Sequence, residues 1–132
     1  MRPILVTGGA GFIGSNFVHY WRQQHPGDSL HILDALTYAG NRRNLAGADT
    51  EPNIHFVHGD IRDKSLVERL LIEARIDTIV HFAAESHVDR SILGPEAFVD
   101  TNVVGTHNLL VAARQVWLEA DEPVVTHRCH HV

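Results

Sequence analysis

Residues 4–14 join an apolar run to an amphipathic segment through a turn rich in glycine. The β-branched run Ile4–Val6 is typical of a buried strand. Glycines occupy positions 8, 11 and 14 of the turn. The segment that follows has helical spacing of its apolar residues, and its apolar face comprises Ile13, Phe17 and Trp21. This order of strand, glycine turn and helix predicts the first βα unit of a parallel α/β fold.

The glycine spacing is that of a dinucleotide-binding turn. Gly8 permits a sharp turn, Gly11 has no Cβ that would hold a diphosphate away from the backbone, and Gly14 permits close packing of helix on strand. The helix N-terminus offers N–H groups without intrahelical partners and a partial positive charge. The turn therefore predicts a site for a dinucleotide diphosphate.

An acidic residue is expected about 20 residues beyond the last glycine of such a turn. Asp34 occupies that position, at the end of the apolar run 30–33. A carboxylate there accepts both ribose hydroxyls of the adenosine and repels a 2′-phosphate, which favours NAD over NADP. The alternative is an ordinary glycine turn, with Asp34 capping the segment that follows it.

Composition excludes several other classes of protein. The chain has 132 residues, a net charge of −5 and no basic run, which argues against a nucleic-acid partner. No apolar stretch approaches the roughly 20 residues of a membrane span, and the N-terminus passes into a strand without a signal-peptide pattern. With a single cysteine, Cys129, no internal disulfide forms. We expect a cytoplasmic protein.

Four further strands are predicted, and a helix over residues 64–74 lies between the third and the fourth. The predicted fold is α/β: a Rossmann-like, doubly wound parallel sheet of five strands in the order 3-2-1-4-5. Residues 1–132 then form one NAD-binding domain that stops short of the remaining strands and the substrate domain. The later strands are predicted at Leu30–Leu33, Ile54–His58, Asp77–Phe82 and Val124–Val132.

Polar and small residues follow the predicted strands where a ligand is expected in such a sheet. The segment 35–41 leaves the second strand and is predicted to lie beside the adenosine. After the third strand, Asp60 is placed to bind the adenine amino group and Ile61 to cover the ring. After the fourth, the small side chains of Ala83 and Ala84 leave room for a flat ring and its ribose.

Two nearby motifs have a plainer interpretation as well. Asp63 is placed to cap the helix over 64–74, a role compatible with adenine binding by Asp60. Arg42 and Arg43 either neutralise a phosphate or form solvated surface, and the second is the more usual role of such a pair.

A long helix is predicted over residues 95–118, with two adjacent apolar stripes instead of one. One stripe covers the sheet, and the other packs either on a partner helix, as in a homodimer, or beneath other parts of the same chain. The first stripe comprises Val99, Val103, Thr106, Leu110, Ala113 and Trp117. The second comprises Phe98, Asn102, Gly105, Leu109, Ala112 and Val116.

Neither a serine hydrolase nor a metal site is predicted. Ser86 and His87 lack the Gly-x-Ser-x-Gly turn of a nucleophile elbow. Strand alternation places Cys129 and His131 on one face and His130 on the other, and no further ligand pair has zinc spacing.

Five motifs resemble the extended short-chain dehydrogenase/reductase family and, within it, the enzymes that dehydrate dTDP-glucose. The glycine motif is common to the superfamily, whereas the second and fourth motifs are much more specific. In chain order, the motifs are Thr7–Ser15, Leu36–Asn41, Gly59–Asp63, Ala83–Ser91 and Thr101–Thr106.

The resemblance implies NAD as the cofactor, dTDP-glucose as the substrate and dimerisation through the helix 95–118. In such enzymes NAD takes a hydride from sugar carbon 4, water leaves carbons 5 and 6, and the hydride returns to carbon 6. Ser86 and His87 would contact the sugar. The implied NAD-binding residues are Gly8, Gly11, Phe12, Ile13, Gly14, Asp34, Ala35, Leu36, Thr37, Gly40, Asp60, Ile61, Phe82, Ala83, Ala84, Glu85, Ser86 and Thr101.

The chain departs from the family in its catalytic groups. The family takes its base from a Tyr-x-x-x-Lys pair, but the only lysine is Lys64, and the residues four positions after Tyr20 and Tyr38 are Gln24 and Arg42. The family's Thr-Asp-Glu motif is also missing from these residues. No catalytic residue is therefore assigned, and we expect the 132 residues by themselves not to convert dTDP-glucose. An epimerase or reductase of the same family and a non-catalytic NAD-binding module remain alternatives.

Overall fold

The computed structural model describes residues 2–37, 40–83, 95–119 and 127–132, apart from the side chains of residues 97 and 98. Five parallel strands form one sheet in the order β3-β2-β1-β4-β5, so the predicted fold and strand order are confirmed. The strands are β1 (Pro3–Thr7), β2 (Ser29–Asp34), β3 (Ile54–His58), β4 (Thr78–His81) and β5 (Arg128–His131).

The described helices cover both faces of this sheet. A 3₁₀ turn over Arg42–Leu45 and a π-helical segment over Asp100–Gly105 lie between the regular elements. The α-helices are α1 (Phe12–Gln24), α2 (Lys64–Glu73), α3 (Pro95–Val99) and α4 (Thr106–Trp117).

The apolar core has one layer on each side of the sheet, because alternate strand residues point to opposite faces. On the α1 side, Ile4 and Val6 of β1 join Val18 and Ile32. On the other side, residues of β1, β2 and β4 pack beneath α2 and α4, and this layer includes Leu5, Leu33, Ile79, Val67, Leu71, Leu109, Ala112 and Trp117. Strands β1, β2 and β4 are thus buried on both faces, as their apolar residues require.

The register aligns the carboxyl ends of the central strands. Thr7, the last residue of β1, lies beside Leu33 of β2 and His81 of β4. Every segment that leaves these strands therefore starts at one edge of the sheet, on both sides of the point where the strand order reverses.

The long helix predicted over 95–118 is helical along its length but is not one α-helix. The π-helical segment Asp100–Gly105 separates α3 from α4. It ends where Gly105 meets the core: a Cβ on Gly105 would lie 2.7 Å from Cδ1 of Ile61. A π turn widens the helix only locally. The spacing of the apolar residues therefore does not reveal it. At the end of the chain, β5 is shorter than the predicted strand 124–132, whose residues 124–126 lie outside the described part.

Candidate functional site

Gly8 places the turn after β1 against the end of β4. Its φ is +71°, a left-handed conformation that favours glycine. Its N–H donates to the carbonyl of Leu33 over 2.8 Å. A Cβ at this position would lie 2.6 Å from the backbone nitrogen of Ala83, closer than real Cβ atoms come. Both conformation and space therefore require glycine here.

Gly14 allows α1 to begin directly over this turn. A Cβ on Gly14 would lie 2.2 Å from the carbonyl oxygen of Gly8. Gly11 precedes the helix in an extended conformation, and no side chain caps the helix N-terminus at that position. The first-turn N–H groups thus face the carboxyl edge of the sheet, which is the geometry that a diphosphate requires.

Phe12 and Ile13 project from the first turn of α1. Ile13 is 64% exposed, whereas Phe17 and Trp21, predicted on the same apolar face, are partly buried. Those two rings stack on each other at 5.5 Å between centroids. Burial of this helix face therefore begins at its second turn, although Gly14 and Ser15 on another side of the first turn are buried.

Asp34 is buried at the end of β2 and tied to the glycine turn. Its Oδ2 accepts the N–H of Ala10 and its Oδ1 accepts the N–H of Leu36, each over 2.8 Å. The capping role that the sequence left open is therefore present. A carboxylate has about four acceptor positions, so two remain for ribose hydroxyls.

The segment after β2 holds the same turn from its other side. The carbonyl of Ala10 accepts the N–H of Asn41 over 3.0 Å and the Nδ2–H of Asn44 over 2.8 Å. Together with Asp34, these contacts fix both ends of Ala10 in the turn. Asn44 was missed by the sequence analysis, because a side chain that reaches a backbone carbonyl 34 positions earlier leaves no periodic signal.

Close packing also shapes the described residues between Asp34 and Asn41, which are 35–37 and 40. Leu36 has a positive φ of +54°. A Cβ on Gly40 would lie 2.7 Å from Oδ1 of Asp34, so glycine is required beside the carboxylate. Thr37 is exposed and accepts the Gly40 N–H through its carbonyl, and the Ala35 carbonyl contacts Nε2 of His58.

The guanidinium of Arg42 lies 4.5 Å from the centroid of the Phe56 ring, a cation–π contact at the surface.

At the end of β3, Asp60 and Ile61 have different surroundings. Asp60 pairs with Arg62 at 2.8 Å. Partial burial acts to raise the pKa of Asp60, but the hydrogen bonds and charge of Arg62 outweigh it and hold the pKa below its ordinary value. The side chain of Ile61 is 3% exposed and lies in the core against Gly105, and its contact with an adenine ring stays a prediction. Asp63 caps α2 through the N–H of Leu66, as predicted.

At the end of β4, Phe82 and Ala83 face the glycine turn. The Phe82 ring lies 5.4 Å from Phe17 between centroids, and the Ala83 N–H donates to the hydroxyl of Thr7 over 3.3 Å. Thr101 lies in the π-helical segment. The remaining predicted residues of this region, which lie outside the described residues, are Ala84, Glu85, Ser86 and His87.

Two further findings concern other kinds of site. Within the described ranges, no group of three or more histidine, cysteine, aspartate or glutamate side chains is placed to hold a metal ion. No helix in that part of the chain has both the length and the apolar character needed to cross a bilayer.

The turn, the uncapped helix start and the buried carboxylate one strand away define a dinucleotide-binding α/β domain. No side chain caps the start of α1, and Asp34 retains free acceptor positions, so these residues fit such a cofactor. Residues 5–131 match the family model of GDP-mannose 4,6 dehydratase, and the chain belongs to that family.

Named relatives are similar along most of the chain. The low-salt glycan biosynthesis protein Agl12 of Haloferax volcanii is 62% identical over 89% of the chain and 36% of its own length. The dTDP-glucose 4,6-dehydratase of Mycobacterium tuberculosis is 55% identical over 85% of the chain and 33% of its own length. The chain thus spans about a third of the length of the curated relatives it matches.

Solved structures are also similar to most of the chain. DesIV, a dTDP-glucose 4,6-dehydratase from Streptomyces venezuelae crystallised with NAD, has a TM-score of 0.81 and 55% identity over 87% of this chain and 36% of its own. A UDP-glucose 4-epimerase from Stenotrophomonas maltophila, also with NAD bound, has a TM-score of 0.78 and 35% identity over 88% of this chain and 34% of its own.

Proposed function

We propose that this chain is the NAD-binding domain of an enzyme that dehydrates dTDP-glucose to dTDP-4-keto-6-deoxyglucose. The observation that carries the proposal is the glycine turn, with Gly8 and Gly14 packed too closely for any side chain and Asp34 hydrogen-bonded beside them. The 55% identity to dTDP-glucose 4,6-dehydratases supports the substrate class.

In this proposal the cofactor runs along the carboxyl edge of the sheet. The first turn of α1, which includes Phe12 and Ile13, holds the diphosphate through backbone N–H groups. Asp34 holds the adenosine ribose together with Ala35, Leu36, Thr37 and Gly40, and Asp60 with Ile61 lies beside the adenine. The nicotinamide side is assigned to Phe82, Ala83, Ala84, Glu85, Ser86 and Thr101, and the sugar contacts to Ser86 and His87.

When bound, NAD supplies the hydride acceptor for sugar carbon 4 and later returns that hydride. The residues of this chain bind and orient the cofactor, and none of them is proposed as the catalytic base. A Tyr-x-x-x-Lys pair is missing from the sequence, so the proton transfers of the reaction require groups beyond residues 1–132.

Calorimetric titration of the chain with NAD and with NADP tests the cofactor assignment. We expect binding of NAD and at least tenfold weaker binding of NADP, because the Asp34 carboxylate repels a 2′-phosphate. With NAD and dTDP-glucose together, we expect no 4-keto-6-deoxy product from this chain alone. If a folded sample does not bind NAD, the proposed function is wrong. If the chain alone forms the 4-keto-6-deoxy product, the catalytic base lies within residues 1–132, contrary to the proposal.

The helical region 95–118 supports a homodimer, which we propose for the protein in the cytoplasm. Gly105, Leu109 and Ala112 of the second stripe are buried against the sheet and α2. In the first stripe, Ala113 and Trp117 are buried in the same core layer, whereas Val99, Val103 and Leu110 remain 48%, 61% and 50% exposed. A row of exposed aliphatic side chains on one helix face is what a second helix of the same kind would cover.

The similarity to UDP-glucose 4-epimerases favours one alternative activity. Mass spectrometry of the product formed by the whole enzyme separates the two, because dehydration removes one water from the sugar nucleotide and epimerisation leaves its mass unchanged.

A further inference from the structure

His81 is a buried histidine that the proposed cofactor contacts do not use. It is the last residue of β4 and is 1% exposed. Its Nδ1 lies 2.5 Å from the hydroxyl of Thr7, and its Nε2 lies 2.8 Å from the hydroxyl of Thr106. One imidazole ring thus connects the strand that leads into the glycine turn with the start of α4.

The hydrogen-bond pattern determines which nitrogen carries the proton. Thr7 is fully buried, and its hydroxyl oxygen already accepts the Ala83 N–H. The hydroxyl hydrogen of Thr7 also needs an acceptor, since buried polar groups are almost always paired. Among the described residues, Nδ1 of His81 is the acceptor within reach. The ring is then the neutral Nε2–H tautomer, and Nε2–H donates to Thr106.

This arrangement lies where the glycine turn after β1 packs against the end of β4. Thr7 immediately precedes Gly8, and Ala83 is the residue whose nitrogen lies nearest to the position of a Cβ on Gly8. The Thr7 hydroxyl joins the two segments by accepting the Ala83 N–H. The hydrogen bond from this hydroxyl to its acceptor fixes the hydroxyl orientation, and loss of the acceptor would remove that constraint.

We infer that His81 is a positioning residue of the dinucleotide site, which acts through the Thr7 hydroxyl to hold the Ala83 backbone against the glycine turn. The inference rests on the proposed NAD binding. It assigns different roles to the two ring nitrogens: Nδ1 serves the cofactor site, and Nε2 anchors α4 on the sheet.

Paired substitutions in this chain separate the two roles. Asn places an amide where Nδ1 stands, and Gln places one where Nε2 stands. We expect His81→Asn to keep the Kd for NAD within about twofold and His81→Gln to raise it about tenfold, the effect of one lost buried hydrogen bond. The isosteric pair Thr7→Val and Thr106→Val should divide in the same way, with the Kd raised only by Thr7→Val.

Thermal unfolding of the same variants measures the structural role independently. Both threonine variants should lower the Tm, because each removes a buried hydrogen bond. Equal changes in the Kd for Thr7→Val and Thr106→Val, or for His81→Asn and His81→Gln, would overturn the inference.

A second measurement does not depend on the cofactor. Long-range ¹H–¹⁵N correlation spectra of the imidazole rings report the tautomer of His81 directly. We expect Nε2 to be protonated and Nδ1 to be unprotonated at neutral pH. Observation of the Nδ1–H tautomer overturns the inference even if NAD binds, whereas failure of NAD to bind with the expected tautomer present counts against the proposed function alone.

Discussion

The Asp34 carboxylate and the Ala10 N–H are joined by a hydrogen bond of 2.8 Å that connects the end of β2 to the middle of the glycine turn. The second oxygen of Asp34 accepts the N–H of Leu36, so one buried side chain shapes two loops at the same edge of the sheet. Asp34 therefore preorganises the turn before any ribose is bound, in addition to the cofactor selectivity proposed for it.

Asp34→Asn tests this double role. The amide retains one acceptor, but its NH₂ group then faces a backbone N–H, so one buried donor loses its partner. We expect a loss of about 1–3 kcal/mol in the free energy of unfolding and at least tenfold weaker NAD binding. Urea denaturation and calorimetry measure the two effects. Asp49→Asn is the matched control at an exposed position and should change neither quantity.

Gly14→Ala tests whether the turn and α1 are in contact. The new Cβ would lie 2.2 Å from the Gly8 carbonyl oxygen, and because that atom is backbone the helix itself must move. We expect a destabilisation of about 2–4 kcal/mol, measured by urea denaturation, together with loss of NAD binding. Gly27→Ala is the control, since a Cβ at Gly27 would meet nothing within 4 Å. A similar loss for Gly27→Ala would show that the cost is not specific to the turn.

The strand order and the position of the site could be predicted because they depend on patterns that repeat along the chain. The run Ile4–Val6, the glycine spacing and the distance to Asp34 together specify a βαβ unit and its ligand edge. The contacts of Asn44 with Ala10 and of His81 with Thr7 could not be predicted, because each joins distant side chains once the backbone is already folded. The position of the Ile61 side chain could not be predicted either, because an apolar side chain suits contact with a base and packing in a core equally well. In the structure it packs against Gly105.

Asn44→Asp tests the contact that holds the Ala10 carbonyl. Asp has nearly the same shape, but its carboxylate oxygens repel the carbonyl oxygen where Nδ2 donated. We expect the Tm to fall by several degrees, consistent with a change of about 1–2 kcal/mol, and NAD binding to weaken severalfold. Asn44→Ala should give a smaller effect on both, because it removes the donor without adding repulsion. Gln23→Ala, on the exposed side of α1, is the control and should change neither measurement. If Asn44→Asp behaves like this control, the contact does not hold the turn.

The lowered pKa of His81 makes the stability of the fold depend on pH. Burial, and to a lesser degree the charge of the stacked His131, lower the pKa of His81 from 6.5 to about 4. As the pH falls, His81 is protonated in the unfolded chain before it is protonated in the folded chain. The contribution of neutral His81 to the free energy of unfolding is therefore complete above pH 6.5. It is lost progressively down to about pH 4, by about 3 kcal/mol in total.

Denaturation curves of the wild-type chain and His81→Asn at a series of pH values measure this contribution. The difference between the two isolates His81, because His31, whose pKa is also lowered by burial and by His55, is present in both. We expect the wild-type chain to lose more stability than the variant between pH 6.5 and 4. Parallel curves would show that His81 keeps an ordinary pKa in the folded state.

Val103→Asp tests the proposed dimer at the centre of the exposed stripe. Val103 is 61% exposed on the helical region 95–118, so the substitution leaves the core of one subunit intact. A carboxylate there would be buried without a partner between two helices, which costs several kcal/mol at an interface. Sedimentation velocity should show a dimer for the wild-type chain and a monomer for the variant, with unchanged circular dichroism. Tyr20→Asp changes an equally exposed position on α1, on the opposite face of the sheet, and should remain dimeric; dissociation by both variants, or by neither, would place the interface elsewhere.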